Sequence, residues 1–131
     1  MITRYGRWAH IGTAWLFAAG VLVQAFLAGS ALRALGGAGD FGAHASFGYT
    51  VMGLLALAVL LTSLGGRLPR TQVGLSSALV VLYIVQTALP NARGSAPLIA
   101  ALRPVNAMLL LTLAIFIGWR ARRIAATEPR P

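Results

Sequence analysis

The stretch SAPLIAALRPVNAMLLLTLAIF, residues 95–116, is apolar enough to sit in lipid, yet it carries Arg103, Pro104 and Asn106 within one helical turn. An arginine in hydrocarbon costs roughly 2.5–3.5 kcal/mol on the mildest scale. Arg103 should therefore lie at a surface or have a partner. Three further runs resemble this one. Arg7 and Arg33 bracket the first, Asp40 and Arg67 the second, and Arg70 and Arg93 the third. Crossing the hydrocarbon of a bilayer takes about 20 mostly apolar residues. In lipid, backbone polar groups must be satisfied within the segment, which makes each run a helix.

The pattern predicts an all-α, four-transmembrane-helix bundle over residues 1–131, with helices at about 7–32, 43–65, 71–90 and 97–120. The connections RALGGAGD, GGRLPR and PNARGS are short, so consecutive helices should be antiparallel neighbours. The first run is too long for the usual apolar core of a signal peptide, about 7–15 residues, and reads as a retained helix.

Composition agrees. Of the 131 residues, 58% are apolar and only 10% charged, whereas a soluble domain carries roughly a quarter charged residues. All eleven basic residues are arginine, and the acids are Asp40 and Glu128 alone. The arginines fall between apolar runs and form no basic stripe on one folded face, which argues against a nucleic-acid partner. With no cysteine, disulfides and thiolate-ligated metals are excluded.

Arginine distribution sets the expected direction. With both termini cytoplasmic, eight arginines lie inside (Arg4, Arg7, Arg67, Arg70, Arg120, Arg122, Arg123 and Arg130) and three outside (Arg33, Arg93 and Arg103). Trp8 and Trp119 then sit at the cytoplasmic interface. The expected location is a bacterial inner membrane, as a multi-pass protein whose first partner is the bilayer.

Two hairpins look repeated. LVQAFLAG in the first run matches IVQTALPN in the third, and HASFGYTVMGLL matches RPVNAMLLLTLA, so that His44 aligns with Arg103. Gln24 and Gln86 should lie at similar depth by the 1.5 Å rise per residue. His44 begins the returning second helix, Arg103 opens the fourth, and Asn106 is a turn deeper. Gln24, His44, Gln86, Arg103 and Asn106 thus form a candidate binding cluster in the outer half, with no comparable set expected in the inner half. Pro104 either occupies an early helical position, where its missing N–H is harmless, or kinks a longer helix and frees the carbonyl of Ala100.

His10 and His44 should be separated by most of the bilayer, which rules out their sharing one haem or metal ion. His10, near a helix end, reads as interfacial or hydrogen-bonded to its neighbour. His44 remains a candidate single ligand for a metal or haem b, with Arg103 beside a propionate. Quinones and lipid headgroups are the other candidates, and the cofactor is otherwise unknown. Ala25 with Gly29, and Gly74 with Ala78, have the spacing of close helix packing or of a homodimer face. Paired carboxylates for acid–base work are missing, so no enzyme activity is expected.

At VLVQAFLAG, AHASFGY and ALRPVNAMLLL the chain resembles a family of small four-helix bacterial membrane proteins of the actinobacterial type, catalogued only as a domain of unknown function. The likeness runs from about Tyr5 to Arg123. It implies functional weight for Gln24, His44, Gln86 and Pro104 to Asn106. Relatives often have histidine where this chain has Arg103, a pattern similar to the two axial histidines of a membrane cytochrome b. This chain departs from it at that residue. The expected function is binding of an amphipathic ligand at the outer cluster; the rival is an accessory or structural subunit of a larger membrane complex.

Overall fold

The structure is a computed structural model that describes residues 2–127; Glu128 and Arg130 lie outside the described residues. Six α-helices build four rods. The first rod is α1 (Ile2–Ala31). The second joins α2 (Gly42–Tyr49) to α3 (Val51–Gly65). The third is α4 (Arg70–Ala88), continued by a 3-10 turn over Leu89–Arg93. The fourth joins α5 (Pro97–Ala100) to α6 (Arg103–Ala126). Each rod is long and apolar enough to cross a membrane.

The rods pack in a ring, each against its neighbours in sequence, and α1 against α6 closes it. First and third rods are diagonal, as are second and fourth. We call the end where α1 begins and α6 finishes proximal, and the opposite end distal. Buried positions recur at helical spacing: Met52, Ala56, Val59 and Ser63 on α3, and Asn106, Leu110, Ala114, Ile117 and Ala121 on α6. With Ala14, Phe17, Ala18, Val21 and Leu79 they fill the axis. The outside is equally apolar, with Leu16, Phe26, Leu54, Leu61, Ile84 and Leu109 all exposed. A bundle that is greasy on both faces suits lipid rather than water.

The helix ends differ from the sequence expectation. The first rod begins at Ile2 and the fourth runs on to Ala126. The second rod is broken at Thr50, where the Tyr83 hydroxyl donates to the carbonyls of Gly48 (3.1 Å) and Tyr49 (3.3 Å). Gly53 makes this possible, since a Cβ there would lie 2.8 Å from the Tyr83 hydroxyl. Tyr83→Phe should therefore loosen the seam between second and third rods, costing about 1 kcal/mol, read as a lower midpoint in denaturing-detergent titration. Pro104 takes the first of its two options. It lies in the first turn of α6, and the chain before it folds as the separate short helix α5.

Close approaches also fall elsewhere than the spacing suggested. Gly29 and Gly74 face open space. The tight contacts are at Gly6 against Gly66, Gly20 against Met52, and Gly118 against Trp15.

Candidate functional site

At the distal end, His44 lies just inside the first turn of α2, opposite the last turns of α1. Its Nδ1 stands 3.0 Å from the Gln24 carbonyl oxygen. That oxygen can only accept, so Nδ1 carries the proton and Nε2 offers a lone pair. Arg103 Nη2 donates to Nε2 at 3.2 Å. Since second and fourth rods are diagonal, this bond crosses the mouth of the bundle. Phe41 meets the His44 ring edge-on, with centroids 6.3 Å apart.

Asn106 is one turn deeper and buried. Its Nδ2 donates to the Leu82 carbonyl (2.9 Å) and to Gln86 Oε1 (2.8 Å), tying fourth rod to third. All five residues expected to converge do lie at this end, though not as one hydrogen-bonded set. His44, Arg103 and the Gln24 backbone form one part; Asn106 and Gln86 form another. The Gln24 amide belongs to neither. Its Oε1 is enclosed and has no hydrogen-bond partner, while its Nε2 lies against Gly48.

Between these parts is a cavity of about 470 Å³. Ligand sites run from about 300 to 1,000 Å³. Gln24, His44, Gln86 and Arg103 line its distal part, and Phe17, Val21, Met52, Leu110 and Leu111 its floor. Asn106 stands behind Gln86 as its support. The void is thus polar at one end and apolar toward the bundle centre.

The proximal half holds a second polar network that the sequence reading placed nowhere. His10, expected to be interfacial or hydrogen-bonded to its neighbour, takes the second option and is 0% exposed. Its Nδ1 is 3.0 Å from the Val59 carbonyl and 3.2 Å from Thr62 Oγ1. Its Nε2 accepts from Gln72 Nε2 at 3.1 Å, and the same amide donates to the Ile117 carbonyl at 2.9 Å. Thr13 bonds Thr62 at 3.1 Å. One histidine and one glutamine therefore tie all four rods together. The burial follows from neighbours: Gly6 and Gly66 bring first and second rods into backbone contact one turn away, closing the space over His10. A signal was available, since His10, Thr13, Phe17, Gly20 and Gln24 fall on one face of α1, the face turned to the second rod. Its His10, Gln72 and Ser76 are fully buried, and Gln72 Oε1 has no hydrogen-bond partner.

The haem and metal candidates can be tested against the donors. The cavity wall contributes one imidazole, His44, and its free nitrogen faces a guanidinium. A cation there repels a metal ion. Among the described residues no three His, Cys, Asp or Glu side chains gather. The donor set does not fit haem iron or a structural metal. It does fit a molecule with a hydrogen-bonding head and an apolar body.

The profile of DUF6220, a family of unknown function, matches residues 24–93, more than half of the chain. The chain belongs to this family. No curated protein and no solved structure matches it. The DUF6220 match takes in Gln24, His44 and Gln86, and it stops before Arg103 and Asn106. The family description adds no activity, so the case for function rests on the cavity.

Proposed function

We propose that this protein is a multi-pass membrane protein that binds, without catalysis, an amphipathic small molecule of the quinone or lipid type in the distal cavity. The observation that carries this reading is the contrast between the two polar networks. The proximal one is closed and tightly packed, as a structural clamp should be. Each network holds one buried amide oxygen with no partner, Gln72 Oε1 in the proximal one and Gln24 Oε1 in the distal one, but the distal side chains also line about 470 Å³ of space. A native fold rarely leaves such an atom unmet, and each one calls for an explanation. At Gln24, whose side chain lines the cavity, a ligand head supplies it.

Orientation enters the proposal through charge. The proximal end carries Arg4, Arg7, Arg67, Arg70, Arg120, Arg122 and Arg123, and Arg123 lies 4.2 Å above the Trp119 ring. A basic collar with interfacial tryptophans belongs on the cytoplasmic side, which turns the cavity toward the outer face of a bacterial inner membrane. The diagonal placing of His44 and Arg103, which occupy matched positions of the two hairpins, supports an internal repeat.

Mass spectrometry of organic extracts from detergent-purified protein is the test. A tailed polar molecule should copurify at near one per chain and be lost from Arg103→Leu combined with Gln24→Leu. A pure protein from which no such molecule is recovered, and which takes none up from added lipid extract, would leave the accessory-subunit reading. That second reading has its own support in Gly12 and Gly74, which face outward with open space beside them and suit a docking helix from a partner or a second copy.

A further inference from the structure

The distal seams differ, and the difference points to how a ligand enters and what its head must be. His44 bonds the Gln24 carbonyl across the seam of first and second rods. Tyr83 closes second against third, and Asn106 closes third against fourth. Between first and fourth rods the case is different. Lower down, Trp15 packs on Gly118. About two to three turns nearer the distal end, the same two faces present Leu22 and Ala25 on α1, and Ala107, Met108 and Leu111 on α6. All five line the cavity. Leu22 and Met108 are also 59% and 70% exposed outward. Residues that face both a cavity and the outside are the lips of an opening. This opening lies at the level of the apolar helix surface, so it faces hydrocarbon.

The head is set by the Gln24 amide. The amide offers an acceptor, Oε1, which has no partner, and the two N–H donors of Nε2. Its terminal torsion is broad and roughly two-fold, so either end can turn to the cavity. A carbonyl or phosphate head brings only acceptors and leaves Oε1 unmet. A hydroxyl both donates and accepts, and matches the amide in either orientation. A doubly charged head would also lose its hydration beside a single guanidinium that already engages His44, which is costly in an apolar wall. Building on the proposed binding role, we infer that the cavity takes a neutral alcohol or phenol with a hydrocarbon tail. Its hydroxyl bonds the Gln24 amide beside Arg103, and its tail leaves between first and fourth rods into the bilayer.

Nanodiscs holding the full chain, loaded with 4-dodecylphenol, 4-dodecylanisole or dodecyl phosphate at equal mole fraction and read by native mass spectrometry, test this. The phenol should be bound about tenfold more than the anisole, the effect of one good hydrogen bond. Gln24→Leu should erase that preference, and this variant keeps its fold because His44 holds only the Gln24 backbone. Leu22→Trp with Met108→Trp should reduce dodecylphenol uptake several-fold and leave tailless p-cresol unchanged. Equal binding of phenol and anisole, or tightest binding of dodecyl phosphate, overturns the hydroxyl head while leaving the cavity as a ligand site. A double-tryptophan variant with full uptake overturns the lateral opening. If none of the probes binds, the binding function falls with it.

Discussion

His10→Ala should cost this protein about 3 kcal/mol of stability, and His44→Ala only about 1 kcal/mol. The two side chains look equivalent on paper: each is a histidine on a rod, bonded through Nδ1 to a neighbour's carbonyl and through Nε2 to a second side chain. Their settings differ. His10 has no exposed surface, so truncation leaves a void that its packed neighbours cannot fill, in the range of about 2–5 kcal/mol for large-to-small changes. It also removes the His10 bonds to the Val59 carbonyl and to Gln72, and each lost interhelical bond in a membrane is worth about 0.6–2 kcal/mol. His44 already borders a cavity, so its removal enlarges an existing space and releases Arg103 to bond elsewhere. Titration of micelle-held protein with dodecyl sulfate, followed by the summed fluorescence of Trp8, Trp15 and Trp119, measures both. Equal losses would make the distal network a second clamp, and the ligand reading would lose its main support.

That asymmetry marks where the sequence could be read and where it could not. The rods are legible because a bilayer imposes length and apolarity on any segment that crosses it, and Gln24, His44, Gln86, Arg103 and Asn106 fall at one end by counting rise along each rod. Depth, however, says nothing of azimuth. Gln72 sits two residues after Arg70, in the first turn of α4 beside a basic connection. It is buried only because α4 turns that face to His10 and Ile117. Glycine spacing misleads for a similar reason. Gly29 and Gly74 have the pattern of packing residues but face outward, while Gly6 and Gly118 stand outside those small-residue pairs and make the real contacts. The cavity is a property of rod separation, which no single helix encodes.

Two glycine-to-alanine changes should therefore have opposite outcomes. In Gly6→Ala the new Cβ would lie 2.7 Å from the Gly66 nitrogen and 2.8 Å from its Cα. Both are backbone atoms and cannot step aside, so first and second rods must part. Overpacking of this kind costs about 1–3 kcal/mol, and the parting also stretches the His10 bonds to Val59 and Thr62 one turn above. Against this stands a gain of about 1 kcal/mol from replacing glycine within a helix. The expected net loss is about 2 kcal/mol, seen as an earlier dodecyl sulfate midpoint. In Gly48→Ala the new Cβ meets the end of the Gln24 side chain, which is free to swing. The same helical gain then goes largely unopposed, and the midpoint should hold or rise. The displaced amide can no longer meet a ligand head, so uptake of 4-dodecylphenol should fall about tenfold, the worth of its hydrogen bond. A Gly48→Ala protein that takes up the phenol as well as the unaltered chain does would remove Gln24 from the site. The cavity would then be a flaw in packing that alanine at position 48 partly repairs.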